Sequence, residues 1–586
     1  MGFKKTVAAI LIAATAAGSL LCAPSDALVV RDRLYAQKFS AIVKELQNDT
    51  ETLEAVKKLD NAVVFLSVSD GKKQAKVAEY PASELDTAMV DAYNDVKSSG
   101  VNPKWMRLDV VISEKEYTYK NFQKEFNNAL AGSFRSGVAF DKKYTSALLE
   151  TQINSGGILN YSDGTFNWAL VNKELARMGK EKLVYVPNKL YVFKTQGYFA
   201  ENSGFAYRLT NGQYNNTGIR EFGTDRASLT ELAARSSQYL SSICDATGKF
   251  KYGYDPISGK ELDDYNILRH AGTVWNLIMQ YEMTSDERLV PVIESTLAYL
   301  KKFVVYKDSS TAFIEDNTLL NVGGNGLALL AYCNYALTFC SSKYNSLIRA
   351  LANGILFMQK PDGSYTHTLY RNTFRIAKDY IIVYYDGEAS YGLLKAYEVL
   401  GTQKYLTAAQ KAADCFIDSN YEELNSHWIS YMFNELTKYI PEEKYFEFGL
   451  KNVMANDYMR KLYKSRSGKN SSNETINAVF ELYDRLISGG YKCDYLEEFD
   501  EELLFRALNS RAEYGINYFM FPEQAMFFKA PDTVVNSFTV REDSYRLRID
   551  DIQHFMDGYY LYWKNYDRIM QYTENTEQMK TKNKAA

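Results

Sequence analysis

From about residue 227 onward, apolar residues recur at spacings of three and four, and short turns separate each such run from the next. ASLTELAARSSQYLSSIC, GTVWNLIMQYEMT, RLVPVIESTLAYLKKFVVY, NGLALLAYCNYALTF, SLIRALANGILFMQ, EASYGLLKAYEVLG, KYLTAAQKAADCFID and HWISYMFNELTKYI each read as a helix buried along one stripe. Pairs of these helices recur at intervals of roughly 50 residues, the pattern of stacked helical hairpins. Such hairpins can stack as an open solenoid or close into a ring. The segments just ahead of alternate helices favour the ring. DDYNILRHAGT, NVGGNG, DGSYTH, YYDGEAS and NSHW carry polar clusters where a solenoid needs only turns. In a ring those loops converge on one mouth, so their Asp, Glu, His, Asn and Tyr side chains line a shared cleft. The expectation is a mainly α protein, an (α/α) helical-hairpin toroid over residues 227–570, ending in a polar tail at 571–586.

Ahead of that region the period changes. VVFLSVS (63–69) and MRLDVVIS (106–113) read as strands, with ASELDTAMVDAYNDVKSSG between them as a helix that stops at Gly100. KLVYVPNKLYVFKTQGYF (182–199) reads as a strand pair broken at Pro187 and Asn188. Residues 30–205 are expected to form a small α+β domain. The Gly- and Asn-rich stretch that follows predicts a linker over 206–226.

The first residues have the layout of an export signal. Lys4 and Lys5 precede an apolar, Ala-rich run from Thr6 to Leu21, and a small-residue cleavage pattern ends at Ala27. A signal peptide over residues 1–27 implies a periplasmic or secreted protein. Lipid attachment at Cys22 is disfavoured by the bulky Leu21 before it. No later stretch of about 18 uninterrupted apolar residues predicts a membrane span. Five cysteines remain after cleavage, unevenly spaced and without a CxxC, which argues for small buried apolar residues over disulfides or a zinc site.

Composition narrows the partners. The net charge is -4 and no basic run is present, so a nucleic-acid partner is not expected. The 47 tyrosines and 31 phenylalanines suit both packing and sugar stacking. No GxSxG, P-loop or HExxH motif appears. No cofactor and no transition metal are expected, while calcium held by loop Asp and Asn residues stays open.

DYNILRHAGTVWNLIMQYE, NVGGNGLALLAYCNY, DGSYTH and YYDGEASYGLLKAYEVLGTQKYLTAAQKAA together resemble the six-hairpin glycosidase-type toroids. They are more closely similar to toroid proteins of bacterial surface-polysaccharide systems and to the C-terminal region of D-glucuronyl C5-epimerases. The resemblance runs over roughly residues 230–565, to RIDDIQHFMDGYYLYW. It implies the toroid and a poly- or oligosaccharide partner, but no single reaction, because this architecture hosts hydrolases, lyases, epimerases and inactive relatives.

The candidate chemistry sits in the same loops. Glycoside hydrolysis generally uses two carboxylates. Glu388 is the first candidate, at a helix start beside Tyr384 and Tyr385, where desolvation raises a carboxyl toward general-acid range. Asp386 lies on the same turn, and Asp550 with Asp551 forms a second acidic pair across a closed mouth. Arg269 offers a planar fork for a sugar carboxylate. His270, His427 and His554 adjoin polar or aromatic clusters, Tyr265 and Trp428 offer flat faces, and Asn325 a hydroxyl-binding amide. Glu388, Asp551, Asp386 and Tyr384 are therefore the candidate catalytic residues, with the others as substrate holders. Three functions stay open: an enzyme on an acidic or surface polysaccharide, hydrolysis ahead of uronate epimerisation or elimination; a glycan-binding or envelope-assembly protein without turnover; and a protein-interaction scaffold.

Overall fold

The computed structural model describes residues 27–98, 100–127, 134–211, 217–378, 382–465 and 471–585. The expected signal peptide, with Cys22, lies outside the described residues apart from Ala27, where the first helix begins. No described helix is long and apolar enough to cross a membrane. The chain divides into two compact units, and neither is one continuous piece of sequence.

The first unit joins residues 1–222 to Tyr254–Glu261 and Asn517–Leu547. Its centre is an antiparallel sheet. Six of its eight strands, β1 (Ala62–Ser69), β2 (Lys76–Ala82), β3 (Trp105–Thr118), β4 (Lys189–Ala200), β5 (Tyr207–Asn211) and β6 (Thr217–Arg220), lie in the order β6-β5-β4-β3-β1-β2, and the short strands Gly137–Ala139 and Ala147–Leu148 add on beside β4. Helices α1 (Ala27–Asn48) and α2 (Leu85–Ser98) supply Phe39, Ile42, Leu46 and Met89 to the core on one face of this sheet. The other face is closed partly by Met526 and Phe527 of the returning segment. Two expectations are corrected here. The stretch 206–226 is no linker, since β5 and β6 pair with each other and extend the sheet. The LVYV half of the 182–199 pair finds no partner strand, and Val184 and Tyr185 are exposed.

The second unit joins Gly223–Gly253, Leu262–Ile516 and Arg548–Ala586. Its outer helices are α3 (Arg226–Ser242), α5 (Val290–Lys301), α7 (Asn345–Met358), α9 (Gln403–Asp418), α11 (Glu443–Met454) and α13 (Glu501–Gly515). Between them run the inner helices α4 (Ile267–Thr284), α6 (Val322–Thr338), α8 (Val383–Leu400), α10 (His427–Leu436), α12 (Ser472–Ser488) and α14 (Ile549–Ala585). Each inner helix packs on the next, and α14 packs back on α4, so the ring closes. The expected six-hairpin toroid is present. The tail at 571–586 is not a separate element, because α14 continues through it to Ala585.

Local chemistry explains several joints. Asp225 and Asn266 cap α3 and α4 by accepting from backbone amides of the first turn. Gly401 ends α8 with φ of 61°, the left-handed stop that glycine adopts without strain. At Gly326 a Cβ would lie 2.3 Å from the Glu388 carbonyl oxygen, so α6 and α8 approach backbone to backbone. Of the five described cysteines none is bridged; Cys333 and Cys493 are buried and Cys340 is exposed.

Candidate active site

The inner helices run parallel because each is reached through an outer helix of opposite direction. Contacts between neighbouring inner helices agree, with Asn276 meeting Asp557 and Gly326 meeting Glu388 at matching depths. Their first turns therefore gather at one end, where unpaired amides make the local potential positive. Below them Trp275, Tyr391, Trp428 and Tyr431 fill the ring, with Tyr391 stacked on Tyr431 at 5.4 Å. This plug is a floor; the polar layer lies beside and above it.

Glu388 sits on the second turn of α8, 6% exposed, and its Oε2 has no hydrogen-bond partner. Burial, with a smaller contribution from Asp386, pushes its carboxyl up to about 8. Gly323 on α6 makes room for it, since a Cβ there would meet Glu388 Oε2 at 2.2 Å and the Tyr385 ring at 2.4 Å. Asp386 is differently placed. Its Oδ1 lies 2.9 Å from His367 Nε2 and its Oδ2 accepts from Tyr421 at 3.1 Å. His367 Nδ1 in turn accepts from the Ile382 amide at 2.7 Å, which fixes its proton on Nε2. Asp386 is thus a held carboxylate, and Glu388 is the one with an unused oxygen.

One neighbour round the ring, His427 opens α10. It is buried, its Nε2 has no partner, and burial beside His554 holds it well below the ordinary histidine range. The His554 ring lies 5.2 Å away, edge to face. His554 Nδ1 is 2.7 Å from Glu474 Oε1, and Tyr431 donates to Glu474 Oε2 at 3.0 Å. With Glu474 and Asp550 beside it, His554 is pushed up to about 9 despite its burial. Two imidazoles in contact are thereby set to opposite charge states, one neutral and one cationic. Exposed Tyr384 overlooks the pair, its ring 6.1 Å from that of His427.

Several expected substrate holders have other duties. His270 is wholly buried between the Tyr265 hydroxyl at 2.7 Å and the Thr296 carbonyl at 3.0 Å, and burial lowers it to about 4. Both ring nitrogens are used, so His270 and Tyr265 join α4 to α5. Asn325 is also fully buried. It accepts from the Ile314 amide and donates to the Ala312 and Leu351 carbonyls, holding a strand edge against two helices. Trp428 is 3% exposed and belongs to the floor. Asp551 is fully buried, with both oxygens accepting from Arg548 at 3.1 Å. Arg269 bridges to Asp550 at 3.3 Å, donates to the Tyr252 hydroxyl and stays half-buried. Asp550 is drawn to Arg548 as well, at 3.0 Å, and its Oδ1 remains without a partner.

Glu474 and Asp557 escaped the sequence reading. Glu474 lies in SSNETINAVF, where it resembles an ordinary first-turn acid, and Asp557 lies two turns into α14. Asp557, bound by Asn276 at 2.6 Å and Gln553 at 3.1 Å, is pushed far up by burial and Glu474. Metal-ligand spacing occurs among the described residues at His427, Glu474 and His554, whose ligand atoms lie within 4.8 Å of one another. The Glu474–His554 hydrogen bond already uses one atom of each.

No family model matches the chain, and no curated protein sequence matches it. Solved structures do. The chain is similar to a D-mannose isomerase at 13% identity, with a TM-score of 0.44 over 58% of this chain and 98% of that one. It is similar to the GH76A α-1,6-mannanase from Salegentibacter sp. HEL1_6 at 13% identity, with a TM-score of 0.40 over 57% and 98%. An unsaturated glucuronyl hydrolase specific for heparin aligns at 13% identity, with a TM-score of 0.40 over 58% and 98%. The likeness is one of fold.

Proposed function

We propose that this protein is an exported carbohydrate-active enzyme that transfers protons at a sugar unit of an acidic or surface polysaccharide, or of an oligosaccharide cut from one. The observation that carries this reading is the His427–His554 pair, 5.2 Å apart, one with a free Nε2 and the other bound to Glu474. A pair of titratable groups driven apart in this way is suited to act as base and acid at one pH. In the proposed step, His427 Nε2 takes a proton from a carbon beside a carbonyl or carboxylate. Glu388, held neutral, donates a hydrogen bond to the oxygen that gains charge, and His554 supplies positive charge nearby. Tyr384 offers the sugar a flat exposed face, and Arg269 a guanidinium for an acidic group. The outcome is epimerisation when cationic His554 returns a proton to that carbon from the other face, isomerisation when the proton held by His427 goes to the neighbouring carbon, and elimination if a leaving group stands at the next carbon.

Hydrolysis, the reaction expected first from the sequence, is the second reading. Asp551 does not serve as partner to Glu388 because Arg548 occupies both its oxygens. Asp550, with its free Oδ1, takes that place. The two readings separate in deuterium oxide. The mature protein would be incubated with uronate-containing and neutral oligosaccharides, beside His427→Gln and Glu388→Gln variants. Carbon-bound deuterium without new reducing ends, lost in His427→Gln, is the expected result. New reducing ends without deuterium, retained in His427→Gln and lost in Glu388→Gln, would replace it with hydrolysis. Activity abolished by a chelator and restored by a divalent ion would overturn the metal-free scheme.

A further inference from the structure

Buried arginines in the first unit are matched to carboxylates. Arg107 makes two 2.8 Å bonds to Asp109, and Arg220 pairs with Glu523 at 2.8 Å. Arg541 breaks the pattern. It is 4% exposed, its Nε has no hydrogen-bond partner, and its Nη2 reaches only the Gln524 side-chain oxygen, at 3.3 Å. A guanidinium taken out of water without an anion is strongly disfavoured. A second guanidinium lies close enough to repel it. Arg135 bonds Glu150 through Nη1 at 2.9 Å, and its own Nε is buried without a partner. The other titratable groups around the two are Tyr545, Tyr518 and Tyr161, all phenols. Glu542, next in sequence to Arg541, accepts from the Tyr518 hydroxyl. Neither the Glu150 nor the Glu542 carboxylate is bonded to Arg541, and both arginines leave an Nε–H unused.

We infer that Arg541 and Arg135 form a binding site for an oxyanion, with the Arg541 fork taking a carboxylate and Arg135 Nε adding a further donor. A planar guanidinium edge with free N–H groups matches a carboxylate bidentately and also accepts sulfate or phosphate. A uronate or another sugar acid is a ligand of this class, and inorganic sulfate and phosphate present the same oxygen edge. The site lies wholly in the first unit and does not depend on the proton chemistry proposed for the toroid, so either can fail alone.

The test uses the full mature chain. Thermal unfolding and titration calorimetry would be run with glucuronate, sulfate and phosphate as probes and glucose as the neutral control. At least one anion is expected to bind saturably and raise the unfolding temperature, with glucose inert. Binding to glucuronate would assign a sugar acid, and binding to sulfate or phosphate alone an inorganic oxyanion. Arg541→Met should weaken that binding at least tenfold, while its ligand-free unfolding temperature equals or exceeds that of the wild type, because an uncompensated buried charge is gone. Arg541→Lys keeps the charge without the fork and should bind more weakly than wild type while staying folded. No saturable binding of any probe, or binding unchanged in Arg541→Lys and Arg541→Met, would overturn the inference.

Discussion

His554 Nδ1 stands 2.7 Å from Glu474 Oε1, and this contact sets the charge of the toroid's polar layer. Burial alone would strip His554 of its proton, as it does His427 and His270. The Glu474 carboxylate reverses that and raises His554 from 6.5 to about 9. A raised histidine stabilises the fold fully below pH 6.5, and the contribution is lost as pH rises through about 9. Glu474→Gln removes the anion but keeps the shape. The His554 titration is expected to move from about 9 toward or below 6.5, and turnover at neutral pH to fall on the order of a hundredfold. With only four histidines in the chain, imidazole proton resonances followed against pH can check this directly. A titration that stays near 9 in the variant would show that Glu474 is not the cause.

Glu388 carries the opposite consequence for stability. Its folded value of about 8 lies above the ordinary 4.5, so its contribution is most favourable below pH 4.5 and is lost as pH rises through 8. Between those limits the unfolded chain releases a proton that the native state retains. Glu388→Gln mimics the neutral carboxyl and avoids that loss. Its unfolding temperature should match wild type near pH 4.5 and exceed it by on the order of a few degrees at pH 8. Activity should disappear in the same variant. Thermal scans at the two pH values decide the matter, and a variant equally destabilised at both would mean that Glu388 is a packing residue.

Gly323→Ala tests the same carboxyl by space instead of charge. A Cβ on Gly323 reaches within 2.2 Å of Glu388 Oε2 and 2.4 Å of the Tyr385 ring, so those two side chains must move. Alanine also favours the helix by roughly 0.5–1 kcal/mol, which offsets part of the crowding. The variant is expected to fold, by circular dichroism, and to lose at least tenfold in turnover with less change in substrate affinity. Full activity would place the working carboxyl elsewhere.

The ring was legible in the sequence because its signal is long and periodic. A buried helical stripe repeats every three or four residues, and the polar runs ahead of the inner helices mark the mouth. Glu388, within YYDGEAS, was readable for that reason. Adjacent residues were not. His427 and Trp428 look like one stacking pair, but consecutive helical side chains point about 100° apart, so one faces the polar layer and the other enters the floor. Glu474 and Asp557 act through partners 80 and 281 residues away, and no local pattern encodes such distances. The return of Asn517–Leu547 to the first unit was hidden for another reason. That stretch is built of short turns and one-turn helices, has no period, and binds through Met526, Phe527 and Glu523 to strands written some 300 to 450 residues earlier.

That return can be tested through Arg220 and Glu523. Arg220 bonds two carboxylates: its Nε and Nη2 grip Glu523, and its Nη1 donates to Glu201 at 2.8 Å. Glu523 also accepts from the Arg220 amide at 2.9 Å, and both side chains are almost wholly buried. Removing one member of such a pair leaves a charge in a dry site, which costs about 3–5 kcal/mol. Arg220→Met should therefore destabilise the first unit strongly, and Glu523→Gln nearly as much. The double change Arg220→Met with Glu523→Leu leaves no orphaned charge on the returning segment and should recover part of the loss, since apolar replacements of buried pairs are often neutral. Calorimetric unfolding of the three variants provides the check. A double variant whose destabilisation equals the sum of the two single effects would mean that Arg220 and Glu523 are not coupled, and that the segment is held by Met526 and Phe527 packing without help from the ion pair.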